Sequence, residues 1–406
     1  MWHPEGGRAA SENIASKMSN FSTSPKQGSL RELAFLFLRL GTTAFGGPAA
    51  HIAMMEEEIV RRRKWLDEQE FLDYLSVTNF IPGPNSTEMA IHIGHKRGGW
   101  PGLVVAGTSF IVPAVVIVGG LAWAYVRFGT LPQANGLLYG VRPVVIAIVV
   151  QALWKLGRSA LKTEWLWVVG LVCLLLTATG VNELLVLALG GFLGSASHWR
   201  RAGIRKTLAI WPGIKPAISA SLASAAVAYS VGLWSIFLTF AKIGSVLFGS
   251  GYVLLAFLRA DLVERHHWLD QRQLLDAVAV GQVTPGPVFT TATFVGYLLH
   301  GWAGGAVATL GIFLPAFLFV AITAPLLPRL RASKAASCIL DGVNTASLAL
   351  MGVVTCQLAR ASITDAVTIL IAVASLVALL RFRVNSAWLV LLGAIAGLLT
   401  HGLYRH

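Results

Sequence analysis

Charged residues are scarce in this chain, and their scarcity excludes an ordinary soluble protein. Only 13% of the 406 residues are charged and 55% are hydrophobic, whereas a soluble domain carries about 25% charged residues. Three windows, 102–126, 216–241 and 301–328, hold no charge over the roughly 20 residues that a membrane-spanning helix needs. The composition therefore predicts an all-α polytopic membrane protein embedded in the lipid bilayer.

Cofactor motifs are also missing. Cys173, Cys338 and Cys356 are isolated in apolar surroundings and form no Cys-x-x-Cys pair, which argues against a disulfide framework and a soft-metal site. The sequence has no P-loop and no motif for a flavin, a haem or an iron–sulfur cluster. We therefore expect no cofactor, no metal site and no enzymatic activity.

Acidic residues are outnumbered, with 19 Asp and Glu against 32 Lys and Arg, for a net charge of +13. Such an excess suggests nucleic acid in a soluble protein, but here the basic residues lie mainly in short links between apolar runs, where they mark cytoplasmic loops. We expect no nucleic-acid partner. Residues 1–30 are polar and lack the apolar core of a signal peptide, so they predict a disordered cytoplasmic tail.

The rest of the chain is a duplicated unit. A shift of 203 places aligns many identical residues, and a shift of 202 continues the match. The aligned pairs include Gly41 with Gly244, Trp65-Leu66-Asp67 with Trp268-Leu269-Asp270, Pro82-Gly83-Pro84 with Pro285-Gly286-Pro287, and Pro113-Ala114 with Pro315-Ala316. The predicted domains are the tail, a first repeat at 31–205, a linker at 206–232 and a second repeat at 233–406.

Loop charges predict that the two repeats point in opposite directions across the membrane. The loop at 155–162 is basic whereas its match holds only Arg360, and the loop at 127–135 holds only Arg127 whereas its match is basic. Because basic loops stay in the cytoplasm, this reversal indicates inverted-topology repeats.

An inverted arrangement needs an odd number of crossings between equivalent points. Two re-entrant hairpins and four full crossings per repeat would leave the repeats parallel, so we assign an extra crossing to the apolar segment 216–231. The predicted topology has a cytoplasmic N-terminus, a periplasmic C-terminus and broken or re-entrant helices in each repeat.

Each repeat contains a Gly-rich turn and a Pro-Gly-Pro break followed by hydroxyl residues. Proline cannot continue a helix, and irregular backbone at membrane depth is tolerated only where it lines a cavity or is buried in protein. A helix that starts at such a break presents free N–H groups and a positive dipole end, which bind anions. The predicted substrate-binding residues are Gly46, Gly47, Pro48, Asn79, Pro82, Gly83, Pro84, Asn85, Ser86, Thr87, Glu88, Gly249, Ser250, Gly251, Pro285, Gly286, Pro287, Thr290 and Thr291.

Ionisable residues inside apolar segments are candidates for charge pairing or proton transfer. They are Arg39, His51, Glu88, His92, Arg142 and Lys242. The cations at 39 and 242 occupy equivalent positions in the two repeats, and Glu88 lies directly behind the first Pro-Gly-Pro break. A lone histidine in a helix is more often a hydrogen-bonded core residue, so the two histidines are the weaker candidates.

Two segments carry a family resemblance. Phe-Gly-Gly-Pro-Ala-Ala-His-Ile-Ala-Met-Met-Glu at 45–56 and Asn-Phe-Ile-Pro-Gly-Pro-Asn-Ser-Thr-Glu-Met-Ala-Ile-His-Ile-Gly at 79–94 resemble the chromate ion transporter family, of the long two-domain type. The similarity runs over nearly all of the chain beyond the tail. The second repeat has Phe-Gly-Ser-Gly where the first has Phe-Gly-Gly-Pro, so the two halves of the site need not contribute equally.

The resemblance implies a bacterial inner-membrane protein that exports chromate and confers chromate resistance, with sulfate as a tetrahedral look-alike. We predict a secondary transporter driven by the membrane potential or by proton exchange. A sulfate or related oxyanion importer is the alternative, and a membrane chromate reductase is the alternative from another class. The sequence leaves a homodimer open.

Overall fold

The helical character of the chain is confirmed by the computed structural model, which describes residues 29–45, 47–129, 131–201, 231–248, 251, 253–324, 334–382 and 384–403. All regular elements in these ranges are helices. Three sets of predictions lie outside the described residues. They are the predicted tail up to residue 28, the predicted linker at 206–232 up to residue 230 with most of the proposed extra crossing, and the site candidates Gly46, Gly249 and Ser250.

In the described ranges, the first half contains seven helices and the second half contains seven more in the same order. The first seven are α1 Leu30–Thr43, α2 Pro48–Glu56 with a π-helical extension Glu57–Arg62, α3 Glu68–Thr78, α4 Asn85–Phe128, α5 Pro132–Ala160, α6 Glu164–Ala178 and α7 Glu183–Arg201. The second seven are α8 Leu233–Val246, α9 Leu254–Leu258 with a π-helical extension Arg259–Arg265, α10 Gln271–Val283, α11 Thr291–Thr323 after a 3-10 turn at Val288–Thr290, α12 Lys334–Ser362, α13 Ala366–Arg381 and α14 Ser386–Leu403. The order of helices is independent of which face is cytoplasmic, so inversion remains a prediction.

Local sequence explains where equivalent helices begin and bend. Asp67 and Asp270 each form a capping box with the residue three places on, at the start of α3 and of α10, and such boxes satisfy orphan N–H groups. The long helices α4 and α11 are kinked where Gly99 and Gly301 adopt φ of 59° and 58°, a conformation that glycine reaches without steric cost.

Among the residues that the structure describes, four segments are long and apolar enough to cross a membrane, namely Asn85–Phe128, Ala134–Ala160, Val288–Thr323 and Ser337–Ser362. They identify a multi-pass membrane protein. The helices beside the breaks are shorter: α1 has 14 residues and α3 has 11. At about 1.5 Å per residue these helices span roughly 21 and 17 Å, less than the ~30 Å hydrocarbon core, and such lengths favour the predicted re-entrant hairpins.

The two halves are interlocked. At the centre, α1 packs on α4, α8 packs on α11, and α4 packs on α11. The later helices are exchanged, because α5 packs against α13 and α14 whereas α12 packs against α6 and α7. Core residues from both halves therefore form continuous clusters, and neither half buries its apolar surface alone.

Glycines allow the exchanged helices to approach closely. A Cβ on Gly342 of α12 would collide with the carbonyl of Gly190 and lie 2.9 Å from the Cα of Gly194. A Cβ on Gly140 of α5 would collide in the same way with the carbonyl of Gly393. Small residues serve this purpose at helix–helix contacts in membranes.

We expect the Gly342→Val substitution to destabilise the protein by about 1–3 kcal/mol or more, because overpacking against backbone forces the helices apart. Thermal unfolding in detergent measures the effect. The control is Gly120→Val on α4, where an added Cβ meets no atom within 4 Å. Equal stability of the two variants would contradict the proposed packing role of Gly342.

Candidate functional site

The four helix breaks meet in two reciprocal pairs at the centre of the fold. The Gly83 N–H donates to the carbonyl of Leu247, which ends α8, at 2.8 Å. The Gly286 N–H donates to the carbonyl of Ala44, which ends α1, at 3.0 Å. Each Pro-Gly-Pro sequence is thus hydrogen-bonded to the C-terminal end of the first helix of the other half, which is α8 for Gly83 and α1 for Gly286.

The glycines of these breaks have no room for a side chain. Gly83 and Gly286 adopt φ of 141° and 85°, values that residues with a Cβ rarely adopt. A Cβ on Gly286 would lie 2.8 Å from the Cβ of Ala114, and a Cβ on Gly83 would run into the Glu88 carboxyl group. The flanking prolines have no N–H, so the glycine supplies the single backbone donor of each Pro-Gly-Pro.

The Gly-rich turns differ between the halves. Gly47 precedes α2 with φ of 80°, and Pro48 is the first residue of α2. In the second half the residue equivalent to Pro48 is Gly251, which is buried and packs near Val288 and Phe289. The first turn therefore borders a cavity at Pro48, whereas Gly251 lies against apolar side chains.

The N-terminus of α4 keeps donors free at the first Pro-Gly-Pro. Thr87 and Glu88 donate their N–H groups to the carbonyl of Pro84, and no side chain caps the helix. The Asn85 side chain donates through Nδ2 to Oδ1 of Asn79 at 2.9 Å and so bridges the two sides of the break. The first N–H groups of a helix have no intrahelical acceptor, and this applies to the amides of residues 85 and 86.

His51 links the end of α1 to the start of α4 by hydrogen bonds. Its Nε2 lies 3.0 Å from the carbonyl of Ala44, and its Nδ1 lies 3.2 Å from the hydroxyl of Ser86. A carbonyl only accepts, so Nε2 carries the hydrogen and Nδ1 accepts from Ser86. The ring also packs edge-on against Phe110 at 5.6 Å. Because both ring nitrogens are engaged, His51 is a hydrogen-bonded core residue in this structure.

Behind the first break, three buried polar side chains have no hydrogen-bond partner. They are Thr87, Glu88 and His92, each at most 1% exposed. Glu88 and His92 are four residues apart and share one face of α4. The unpartnered atoms include both carboxyl oxygens and both ring nitrogens. Burying an isolated charge is costly, so the Glu88 carboxyl group needs a proton or a ligand beside it.

The hydroxyls that follow the second Pro-Gly-Pro are bonded locally, whereas the hydroxyl of Thr284 just before it is buried without a partner. Thr290 donates its hydroxyl to the carbonyl of Pro287 at 2.9 Å, and Thr291 donates to Val288 at 2.8 Å. Thr290 is equivalent to Thr87, whose hydroxyl is unpartnered. Directly behind the two Pro-Gly-Pro sequences, the unpartnered buried side chains therefore belong to the first half.

A cavity of about 490 Å³ lies beside the first break. Its walls include Pro48, Asn79 and Asn85 from the first half, and Asn344 and Ser347 from α12 of the second. Further polar lining residues are Ser76, Ser159, Lys162 and Asp341. Within this set Lys162 donates to Asp341 at 2.9 Å, so the remaining polar walls are neutral amides and hydroxyls.

A larger groove of about 1080 Å³ lies between α5, α6, α12 and α13. Its walls are almost entirely apolar and include Trp154, Trp167, Leu171 and Leu174. Of these, Trp154, Trp167 and Leu171 are well exposed on the outer surface, where acyl chains surround a membrane protein. The smaller cavity at the breaks is therefore the candidate site for a charged solute.

The equivalent cations Arg39 on α1 and Lys242 on α8 lie in ion pairs away from this cavity. Arg39 lies 3.7 Å from Glu58 and is half exposed, and Lys242 donates to Asp261 at 2.5 Å. Glu58 and Asp261 are themselves equivalent residues of the two π-helical extensions. These pairs connect α1 to the π-helical extension of α2 and α8 to that of α9, and neither cation lines the cavity.

Arg142 also has a partner. Its Nε and Nη2 donate to the two carboxylate oxygens of Asp276 at 2.8 and 2.9 Å, and the hydroxyl of Tyr125 donates to the same carboxylate at 2.9 Å. This bidentate pair joins α5 of the first half to α10 of the second.

Two cavity residues, Asn344 and Ser347, were not among the predicted site residues. Both lie on α12 on the same face as Asp341, and the three residues are spaced by three positions. That polar spacing was the available signal. It was insufficient because the contact of α12 with the first-half breaks depends on the exchange of helices between halves.

Broken helices around a central polar cavity are typical of membrane transporters. The chain belongs to the chromate transporter family, whose model matches it twice, at residues 31–195 and 234–398. The two matches coincide with the two sets of seven helices.

Several relatives are similar over most of their length. A chromate transport protein of Cupriavidus metallidurans is 34% identical over 93% of this chain and 94% of its own. A probable chromate transport protein of Synechococcus elongatus is 31% identical over 91% and 95%, and a chromate transport protein of Pseudomonas aeruginosa is 33% identical over 83% and 82%. No solved structure is significantly similar to the chain.

Proposed function

We propose that this protein exports chromate across the bacterial inner membrane and confers chromate resistance. The observation that carries the proposal is the free N-terminus of α4 beside a cavity of neutral amides and hydroxyls. Helix N-termini bind anions, and the relatives named as chromate transport proteins supply the identity of the anion.

Neutral donors suit a transported dianion. Burying an isolated charge costs tens of kcal/mol by the Born estimate, and hydrogen bonds to a charged group return about 1.5–3 kcal/mol each. Several donors are therefore required around the ion. Amides and hydroxyls supply them without the tight ion pair that a nearby arginine would form, so the ion is also able to leave.

The membrane potential favours export. Moving one charge through 100 mV is worth about 2.3 kcal/mol, so a dianion leaving a negative cell interior gains about twice that value. We also propose that Glu88 carries a proton that is exchanged against the anion. Its carboxyl group is fully buried at the break and has no hydrogen-bond partner, and an ionised carboxylate there would repel the substrate.

Export is tested by chromate accumulation. Bacteria that produce the protein are expected to accumulate less chromate than cells with an empty vector, and everted membrane vesicles are expected to take up chromate when the lumen is made positive. Competition by sulfate in the same vesicles measures selectivity between the two tetrahedral ions. Greater accumulation in the producing cells would contradict export and favour the importer alternative.

The equivalent threonines give a matched test of the anion site. Thr87→Val is expected to raise the half-saturating chromate concentration by about 10- to 100-fold, since a hydrogen bond to a charged group contributes about 1.5–3 kcal/mol and about 1.4 kcal/mol is tenfold. Thr290→Val is the control, because that hydroxyl is already bonded to Pro287. Vesicle uptake measures both variants, and equal effects would place the site elsewhere.

Glu88→Gln tests proton exchange. The substitution fixes a neutral side chain, so transport is expected to lose its dependence on an imposed pH gradient while it keeps its dependence on membrane potential. Glu57→Gln, at a half-exposed carboxylate paired with Arg61 and Arg62, is the control. A pH-gradient response that survives in Glu88→Gln would remove this carboxyl group from the mechanism.

A further inference from the structure

The equivalent helices α3 and α10 are packed differently. The helix α10 packs against α5, α12 and α14, and its residues 274–279 are all buried. The helix α3 packs mainly against α4, and its Leu72 is 46% exposed. The approach to the central breaks is therefore shut beside α10 and open beside α3.

An ion pair shuts the side of α10. Asp276 is fully buried and receives the bidentate Arg142 and the hydroxyl of Tyr125. The residues at the equivalent places beside α3 are Asp73 for Asp276 and Asn344 for Arg142. An asparagine does not reproduce the charged clamp, and Asp73 is only half buried.

The open side contains unsatisfied polar groups instead. Oδ1 of Asn85, Oδ1 of Asn344 and Oγ of Ser347 are buried without a hydrogen-bond partner, and all three side chains line the cavity beside α3. Ser347 is only 2% exposed, so bulk solvent does not satisfy it. The residues equivalent to Asn85 and Ser347 in the other half are Val288 and Val145, which offer no side-chain hydrogen bond.

We propose that Asn85, Asn344 and Ser347 form an oxyanion-binding vestibule on the open side, and that the Arg142–Asp276 pair is the closed gate of the equivalent route beside α10. The nature of the ligand rests on the proposed function, whereas the open and closed routes rest on packing alone. Exchange between the two routes requires α10 to separate from α5 and α3 to close over the vestibule. Such one-sided opening around a fixed site is how transporters with repeats alternate access.

Cysteine accessibility tests the gate without reference to a substrate. In a chain whose three native cysteines are replaced by serine, Ser76→Cys and Ala279→Cys place thiols at equivalent positions on α3 and α10. Ser76 is exposed and lines the cavity, whereas Ala279 is 3% exposed. A small maleimide is expected to label the Ser76→Cys variant at least about tenfold faster. Equal labelling rates would overturn the assignment of open and closed sides.

Weakening the gate is expected to expose the thiol on α10. Adding Asp276→Asn to Ala279→Cys removes one charge of the pair, and adding Tyr125→Phe removes one hydrogen bond while both charges stay paired. Tyr125→Phe is the milder change, and it is used to test the gate if the Asp276→Asn variant does not fold. Either is expected to accelerate labelling at position 279 by several-fold. An unchanged rate in a folded variant, judged by size-exclusion chromatography, would overturn the gate.

Chromate protection tests the vestibule separately. Chromate is expected to slow labelling of the Ser76→Cys variant, and Asn344→Ala or Ser347→Ala is expected to raise the protecting concentration about tenfold. Ser362→Ala on the same helix is the control, because that hydroxyl donates to Leu358. Protection that is unaffected by the first two changes would overturn the subsite. Absence of protection by chromate and by sulfate, with the labelling asymmetry intact, would overturn the oxyanion ligand and the proposed function but not the gate.

Discussion

Two backbone hydrogen bonds, from Gly83 to Leu247 and from Gly286 to Ala44, are the contacts on which the centre of this protein depends. A bilayer core offers no water to satisfy broken backbone, so a break at that depth must find a protein partner. Each Pro-Gly-Pro has one backbone donor, and each first limb ends in a carbonyl without a helical partner. Pairing them across the halves satisfies both and forces the four breaks together.

Much of the local structure follows from the sequence. The Pro-Gly-Pro breaks and the start of α3 at Asp67 are set by proline, glycine and capping chemistry within a few residues, so they were predictable without knowledge of tertiary contacts. Because the sequence is duplicated, the same reasoning applies to the second Pro-Gly-Pro and to the start of α10 at Asp270. Membrane insertion was predictable for the same reason, because it depends on composition over windows of about 20 residues.

Of the cavity walls, Pro48, Asn79 and Asn85 were predicted from the sequence, whereas the walls from the second half were not, because they depend on packing between distant segments. Arg142 and Asp276 are 134 residues apart, and their contact exists only because α5 lies against the second half. Asn344 and Ser347 reach the first break for the equivalent reason, since α12 lies against the first half. Aligning the repeats identified Asn344 as the counterpart of Arg142 but gave no contact for either residue.

Arg142 and Asn344 occupy equivalent positions of the two repeats but differ in charge. The helix pairs beside α10 and beside α3 therefore differ although their backbones are duplicated. A buried ion pair contributes little net stability because desolvation offsets its attraction, whereas losing one partner costs about 3–5 kcal/mol. That cost is comparable with the roughly 4–5 kcal/mol that a dianion gains in crossing 100 mV. A gate of this kind is therefore strong enough to hold one side shut and weak enough to open on an energy that transport supplies. Apolar side chains in place of the ion pair would not open in this way, because they carry no charge that could exchange one ionic partner for another.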